Sequence, residues 1–234
     1  MPQRTTDETV AIFDRWADEY DADLGGGAVQ YGPLAGYASS LDFAGRTVAR
    51  RVDDHARLLD IGIGTGAFAA TVITQHRATS TLRVIGIDPS AGMRRRVAET
   101  HPAFTLHDGD FLTIPGDVRG VDAIISSFAF HEVEPAHRAM ALSTMVEVLR
   151  PGGTLALLDI MFASPGALAE AEAAATGWDP AETYHLVGEL DELLREAGLG
   201  EIQWWQTAPM HWLVMATLPT SLSEATTPAD TPAD

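Results

Sequence analysis

The stretch Leu58-Leu-Asp-Ile-Gly-Ile-Gly-Thr-Gly-Ala67 decides the fold of this chain. An apolar segment containing Asp60 ends in three glycines at alternate positions, Gly62, Gly64 and Gly66, and an apolar helical pattern begins directly after them. A buried strand, a glycine turn and a helix in that order bring bare backbone and a helix N-terminus close to a bound ligand. The stretch therefore predicts a ligand site at the carboxyl end of a strand in an α/β sheet.

Short apolar segments alternate with helical segments through the rest of the chain. Such alternation is typical of a mostly parallel sheet covered by helices on both faces. The last two strands are too close together for an intervening helix, which favours a hairpin with an antiparallel strand at one edge of the sheet. The predicted strands are residues 57–61, 82–87, 104–107, 121–126, 154–160, 202–206 and 212–218, and the predicted helices between them are 68–76, 91–100, 135–149, 167–175 and 189–197.

Three regions follow from this pattern. Helical segments before the first strand predict an N-terminal helical cap or lid over residues 1–56. The alternating strands and helices predict a core domain over residues 57–218. Residues 219–234 contain Thr-Pro-Ala-Asp twice and are expected to be a disordered tail.

Composition excludes several kinds of chemistry. The 234 residues include no cysteine and no lysine, so a thiolate nucleophile, a Schiff-base lysine and a P-loop lysine are excluded. The formal net charge of −18 predicts that neither nucleic acid nor an anionic membrane is a partner. We see no spaced histidine and carboxylate cluster and predict no metal. The polar N-terminus and the lack of a long apolar run predict a cytoplasmic location.

The glycine pattern alone leaves two ligands open. Gly62, Gly64 and Ala67 fit the loose motif of dinucleotide sites, and Asp88 ends the next strand, where a carboxylate can bind both ribose hydroxyls. NAD and S-adenosylmethionine both satisfy these features. Asp60, directly before the loop, would repel a pyrophosphate but suits a ligand that carries an amine. Asp110 can accept a hydrogen bond from an adenine amine while Phe111 packs on its ring.

Five ordered blocks resemble those of class I S-adenosylmethionine-dependent methyltransferases. The implied fold is a Rossmann-like, seven-stranded, mostly parallel sheet with helices on both faces and the last strand antiparallel. The segment Phe13-Asp-Arg-Trp-Ala-Asp-Glu-Tyr-Asp21 is similar to the N-terminal helix of the UbiE and YrrT-like small-molecule methyltransferases. The blocks are Leu-Leu-Asp-Ile-Gly-Ile-Gly-Thr-Gly, Val-Ile-Gly-Ile-Asp-Pro-Ser-Ala-Gly-Met, Asp-Gly-Asp-Phe, Val-Asp-Ala-Ile-Ile-Ser-Ser-Phe-Ala-Phe-His and Leu-Arg-Pro-Gly-Gly-Thr-Leu.

The resemblance assigns roles in binding S-adenosyl-L-methionine. The glycines would pass under its amino-acid part, Asp60 would orient the loop or contact the ammonium, and Asp88 would hold the ribose. Met93 would pack on the adenine or in the core. The implied cofactor-binding residues are Tyr20, Asp60, Gly62, Gly64, Gly66, Asp88, Met93, Asp110, Phe111 and Ser127. His131 would line the acceptor side as a general base, or would only shape the pocket or cap the next helix.

The resemblance implies methyl transfer to a small molecule by in-line displacement. The segment Ser126-Ser-Phe-Ala-Phe130 departs from the Asn/Asp-Pro-Pro-Tyr pattern of enzymes that methylate planar amino groups of bases. Positioning of the acceptor can carry most of such a reaction. An NAD-dependent oxidoreductase on a similar sheet and a cofactor-binding module without catalysis remain as alternatives.

Overall fold

The computed structural model describes residues 4–20, 32–76, 81–175 and 178–220. The predicted tail beyond residue 220 lies outside these ranges. The helices are α1 (Thr6–Trp16), α2 (Tyr37–Ala49), α3 (Ala67–Gln75), α4 (Ala91–Thr100), α5 (Arg138–Val148), α6 (Pro165–Ala174) and α7 (Val187–Glu196), with two 3₁₀ helices at Phe130–Glu132 and Pro135–His137. The strands are β1 (Arg57–Ile61), β2 (Arg83–Ile87), β3 (Thr105–His107), β4 (Val121–Ser127), β5 (Leu149–Phe162), β6 (His185–Leu186), β7 (Gly200–Gln206) and β8 (His211–Thr217).

The strands form one sheet in the order β3-β2-β1-β4-β5-β8-β7, and the short β6 pairs with the end of β5. Strands β1 to β5 pair in parallel, whereas β8 pairs antiparallel with both β5 and β7. The predicted mostly parallel sheet with its last strand antiparallel is therefore confirmed. The antiparallel strand is not at the edge, however, because the hairpin places β8 inside the sheet and leaves β7 outermost.

The sheet is buried on both faces, as the continuous apolar strands predict. Successive side chains of β1 point to opposite faces: Leu58 packs in one apolar cluster and Leu59 in the other. Helices α2 and α3 cover the first face, and α5 and α7 cover the second. Because Leu41, Ala44 and Val48 of α2 are buried in the cluster with Leu58, this helix is part of the main core.

Helices α2 and α3 approach closely at one glycine. A Cβ atom at Gly45 would lie 2.5 Å from Cγ2 of Thr71, so only a residue without a side chain fits there. This close packing fixes α3, whose first turn begins directly after the glycine loop. The loop is thus held between the end of β1 and a helix packed against the core.

Three parallel neighbours end at the same edge of the sheet. Ile61 of β1 lies beside Ile87 of β2, and β4 ends at Ser127 on the other side of β1. Ligands of open α/β sheets bind outside the carboxyl ends of such strands, where the strand order reverses. The fold therefore directs the search for a site to the loops after β1, β2 and β4.

Within the described ranges, every helix is too short or too polar to cross a lipid bilayer.

Candidate active site

A cavity of about 270 Å³ lies at this edge of the sheet. The loops after β1, β2, β3 and β4 form its floor, and helix α1 forms the facing wall. Eight of the sequence-predicted residues line it together: Tyr20, Gly62, Gly64, Asp88, Met93, Asp110, Phe111 and Ser127. Asp60, Gly66 and His131 do not line it.

The glycine loop has a backbone that only glycine adopts easily. Gly62, Gly64 and Gly66 all have positive φ angles, of 68°, 54° and 86°. A Cβ at Gly62 would lie 2.6 Å from Cβ of Ala129, whereas a Cβ at Gly64 would meet no atom within 4 Å. The loop therefore packs against the segment after β4 at Gly62 and leaves open space at Gly64, where a ligand can approach the backbone.

Gly66 has a structural part in the same loop. It is the N-cap of α3, and a Cβ there would lie 2.8 Å from Cγ2 of Val97 in α4. Its place is therefore at the contact between two helices, below the cavity. The resemblance assigned Gly66 to the ligand together with Gly62 and Gly64. In this structure Gly66 would affect a ligand only indirectly, by fixing where α3 begins.

Asp88 links the loops after β1 and β2. Its Oδ2 atom accepts a hydrogen bond from the amide of Gly64 at 2.8 Å, and its Oδ1 atom accepts one from the amide of Ser90 at 2.8 Å. Burial raises the pKa of Asp88 to about 6, although the two amides oppose the shift. Each carboxylate oxygen can accept further bonds, so Asp88 can hold the loop and also two hydroxyl groups of a ligand.

Asp60 is a buried carboxylate that lacks compensation. Its side chain is 1% exposed, and neither oxygen has a hydrogen-bond partner among the described residues. Burial raises its pKa well above the ordinary value, and the charge of Asp88 adds to this shift. The amide of Ala69 opposes the shift, although it does not complete a hydrogen bond of normal geometry with either oxygen. A cationic group of a ligand, bound directly or through water, would compensate such a carboxylate. The residues present therefore fit S-adenosylmethionine, which carries an ammonium and a sulfonium.

The Asp110 side chain closes a turn and keeps one oxygen for a ligand. Its Oδ1 atom accepts bonds from the amides of Leu112 and Thr113, each at 2.8 Å, and from the Thr113 hydroxyl at 2.7 Å. All three bonds go to Oδ1, so Oδ2 is the atom that an adenine amine would meet. Phe111 follows it, is 6% exposed, and packs edge-on against Phe130 with ring centroids 5.2 Å apart.

Helix α1 is anchored over the cavity near its C-terminal end. The Oδ1 atom of Asp14 accepts bonds from the hydroxyl of Ser90 at 2.6 Å and from the amide of Gly92 at 2.8 Å. Phe13 and Tyr20 then line the cavity. Trp16 stacks on Phe13 and packs edge-on against Tyr20, with ring centroids 4.7 Å apart in the second pair. The predicted lid thus contributes Phe13 and Tyr20 to the wall.

His131 is buried outside the cavity lining, where it pairs with Asp159. It is 6% exposed, its Nδ1 atom donates to Oδ1 of Asp159 at 2.6 Å, and its backbone amide donates to Oδ2 at 2.9 Å. Burial alone lowers its pKa, but the charge and hydrogen bond of Asp159 raise it more, to about 9. Because His131 pairs with Asp159 and does not line the cavity, the geometry favours the structural alternative for His131 over the general base.

This pair predicts how stability depends on pH. Because the pKa of His131 in the folded chain exceeds its usual value of 6.5, its contribution is complete below pH 6.5 and is lost as pH rises through 9. We expect the free energy of unfolding to fall by about 3 kcal/mol over that window. Urea unfolding at several pH values measures this, and Asp159→Asn should remove most of the slope. An equal slope in that variant would contradict the assignment.

Beside this pair lies a cluster that the sequence did not reveal. His131, Glu132 and Glu182 can each offer a ligand atom, and these atoms lie within 4.8 Å of one another. The predicted absence of metal rested on sequence spacing, which does not show that Glu182 folds back to this place. Arg4 already provides a cation there, since its guanidinium lies 2.9 Å from Oε1 of Glu182. The described cluster is therefore an ion-pair network in which Arg4 neutralises Glu182 and holds the N-terminal end of α1. Glu132 has a weaker set of partners, a bond from Thr9 at 3.3 Å and a contact with His131 at 3.8 Å.

Two residues of the segment after β4 also line the cavity, and the sequence did not single out one of them, Glu132. Glu132 lines the cavity although its neighbour His131 does not, and the hydroxyl of Thr9 donates to Glu132 Oε2 at 3.3 Å. Phe128 also lines it, with an unusual positive φ of 51°. The helical face shared by Phe13 and Tyr20 was the available signal for α1; no sequence signal distinguishes Glu132 from His131.

Comparison with known proteins places the chain among methyltransferases. Residues 58–153 match the family described as methyltransferase domain. An uncharacterized methyltransferase of Geobacillus kaustophilus is 33% identical over 175 residues, covering 73% of this chain and 76% of that protein. An uncharacterized methyltransferase, YrrT, of Halobacillus halophilus is 28% identical over 219 residues, covering 89% of this chain and 97% of that protein.

Solved structures share the fold. The [4+2]-cyclase SpnF superposes with a TM-score of 0.70 at 18% identity, covering 94% of this chain and 98% of that one. An S-adenosylmethionine-dependent methyltransferase of Thermotoga maritima, described as a possible histamine N-methyltransferase, has a TM-score of 0.61 at 18% identity and covers 88% of this chain and 98% of that one.

Proposed function

Because this chain belongs to the methyltransferase family, we propose that it transfers a methyl group from S-adenosylmethionine to a small molecule bound in the cavity under α1. Family membership favours this over the NAD-dependent oxidoreductase that the glycine motif left open. The cofactor supplies a methyl group on a cationic sulfur, which is a good leaving group. The observation that carries the proposal is a single cavity lined by Gly64, Asp88 and Asp110 beside the uncompensated carboxylate of Asp60.

Each end of the cofactor has a matching group in this cavity. Asp88 would accept the ribose hydroxyls, and Asp110 Oδ2 would accept the adenine amine, with Phe111 and Met93 supplying apolar contact. The open backbone at Gly64 would pass under the amino-acid part. The carboxylate of Asp60 would balance its ammonium. This set supports an adenosyl ligand with a cationic amino-acid part rather than a pyrophosphate.

The acceptor would occupy the remaining part of the cavity. That part lies between the segment after β4, which includes Ser127 and Phe128, and the lid residues Val10 and Phe13. A lid that excludes water and holds the acceptor in line with the methyl–sulfur bond can supply much of the rate enhancement. The small volume of the cavity and the charge of −18 support a small-molecule acceptor rather than a nucleic acid or a membrane lipid.

Replacing Asp88 by alanine should abolish most cofactor binding. The variant loses two charge-assisted bonds to the ribose as well as the support of the Gly64 amide, so we expect affinity for S-adenosylmethionine to fall about 100-fold. Isothermal titration calorimetry measures this. Asp108→Ala is the matched control, because that side chain is 74% exposed and pairs with Arg94. Unchanged binding in the Asp88 variant would overturn the ribose assignment.

A further inference from the structure

The charge of the cavity wall points to the chemical class of the acceptor. We propose that the acceptor is a small amine with an apolar body, and that the carboxylate of Glu132 binds its nitrogen. This inference rests on the function proposed above. It deepens that proposal by naming the atom that receives the methyl group and the side chain that selects it.

The described wall of the cavity is anionic at both ends. Asp88 and Asp110 follow β2 and β3, where the cofactor is assigned, and Glu132 and Glu134 follow β4. Helix α1 separates the two groups, because its Asp14 contacts Ser90 beside Asp88 whereas its Thr9 contacts Glu132. The lining includes no arginine, and its one histidine, His137, lies 3.6 Å from Glu134. An acceptor carboxylate or phosphate would meet negative charge there without a free cationic partner, whereas an amine would meet a complementary group.

Glu132 is the carboxylate best placed to select an acceptor. Its side chain is 20% exposed, so its charge is less screened than that of Glu134, which is 49% exposed. It accepts one bond from Thr9 at 3.3 Å and lies 3.8 Å from Nε2 of His131. Burial raises its pKa, while the charges of His131 and Arg4 oppose the shift. Glu132 can thus hold an ammonium and also accept its proton.

The surroundings of Glu132 suit an amine on an apolar body. Val10 and Phe13 line the cavity from α1, whose Thr9 bonds to Glu132, and Phe128 and Val133 line it from the segment that carries Glu132. Aromatic faces attract cationic nitrogen, and the aliphatic side chains would contact the apolar part of the acceptor. The combination of one carboxylate with apolar and aromatic walls is typical of sites for hydrophobic amines.

The reaction then balances without another reactant. The acceptor ammonium gives one proton to Glu132, which leaves a lone pair on nitrogen. Nitrogen attacks the methyl carbon, a carbon–nitrogen bond forms, and the carbon–sulfur bond breaks with its electron pair remaining on sulfur. The products are the methylated ammonium and S-adenosylhomocysteine, and Glu132 releases its proton to water.

A first experiment sorts natural acceptors by charge. A metabolite extract is separated at pH 7 into cationic, neutral and anionic fractions, and each is incubated with enzyme and methyl-labelled S-adenosylmethionine. We expect the label to enter the cationic fraction and to reside on nitrogen. Label only on neutral or anionic metabolites would overturn the amine proposal and leave the proposed function intact. Failure to bind S-adenosylhomocysteine in calorimetry, or no labelled product in any fraction, would instead count against the proposed function.

A second experiment tests Glu132 by binding alone. Phenethylamine, 2-phenylethanol and 3-phenylpropanoate, which differ in charge, are titrated into enzyme loaded with S-adenosylhomocysteine. The amine should bind most tightly, and Glu132→Gln should weaken its binding about 10- to 100-fold, because a charge-assisted bond is lost. Glutamine still accepts the Thr9 bond, so the lid contact is kept. Glu147→Gln makes the same change on an exposed face of α5 and should leave amine binding unchanged.

Three results would overturn the role of Glu132: equal binding of amine and acid, unchanged amine binding in Glu132→Gln, or the same loss in Glu147→Gln. Binding of S-adenosylhomocysteine by each variant serves as the test that the fold and the cofactor end are intact. A loss of that binding in Glu132→Gln would assign the residue to the cofactor instead, which also contradicts the proposal.

Discussion

Asp159→Ala should destabilise the fold by about 3 to 5 kcal/mol, because it leaves the buried charge of His131 without its partner. Asp159 is 1% exposed and binds both the ring and the amide of His131. The same carboxylate holds the 3₁₀ turn at Phe130–Glu132 against β5. Chemical denaturation at pH 7, with the slope of the transition checked for two-state behaviour, measures the effect.

The control for this variant is Asp42→Ala. Asp42 likewise pairs with a cationic side chain, that of Arg46, but both side chains of this pair are more than 40% exposed. Exposed pairs contribute about 1 kcal/mol or less, so this control should stay close to the parent protein. If Asp159→Ala were as stable as Asp42→Ala, the buried pair would not be a structural element and His131 would again be open to a catalytic role. The double variant Asp159→Asn, His131→Gln should recover part of the loss, since it removes both charges.

The parts of the site that follow directly from strand ends were predictable from sequence. The glycine loop and Asp88 each come directly after an apolar strand, and parallel neighbours bring such positions together at one edge. The same reasoning predicted Asp110 and Phe111 after β3. For these residues the position in the sequence, directly after a strand, also determines the position in the fold, so the predicted sheet was sufficient to locate them.

Residues in the turns after β4 were not predictable in the same way. The direction of each side chain there depends on a 3₁₀ turn, and that turn is held by Asp159 from a different strand. Because successive side chains of the turn point in different directions, Glu132 lines the cavity and the preceding residue, His131, does not. The sequence pattern predicted Asp159 within the apolar strand 154–160, and no local pattern indicated that it would bind His131. Glu182 joins the cluster from a segment about fifty residues further along, which no local pattern reveals.

A second 3₁₀ turn explains why the start of the following helix was predicted wrongly. The pattern predicted one helix over residues 135–149, whereas Pro135–His137 is a separate 3₁₀ turn and α5 begins at Arg138. Arg138 is buried there and donates to the carbonyls of Val133 and Thr183. These tertiary bonds decide where the regular helix begins. Likewise, β5 starts at Leu149 rather than at 154, since pairing with Val121 extends it backward.

Two alanine substitutions in the glycine loop should separate stability from cofactor binding. Gly62→Ala should destabilise the fold by about 2 to 4 kcal/mol, because its Cβ lies 2.6 Å from Ala129 and its φ is 68°. Gly64→Ala should cost only about 1 kcal/mol, since its Cβ meets no atom within 4 Å. Thermal or urea unfolding measures both effects without any ligand.

The two variants should rank in the opposite order for cofactor affinity: Gly64→Ala, the more stable variant, should lose more affinity than the folded fraction of Gly62→Ala. The space at Gly64 is the space that the proposed amino-acid part of the cofactor would fill, so a methyl group there should reduce affinity for S-adenosylhomocysteine by about 100-fold while the chain stays folded. In Gly62→Ala any loss of binding should result from loss of folded protein. The loss of binding should therefore be smaller at low temperature, where the folded fraction of this variant is larger. Full affinity in Gly64→Ala would show that no ligand passes close to this backbone. The cofactor would then have to lie elsewhere in the cavity, because a Cβ at Gly64 projects into the open space beside the loop, whereas a Cβ at Gly62 projects against Ala129.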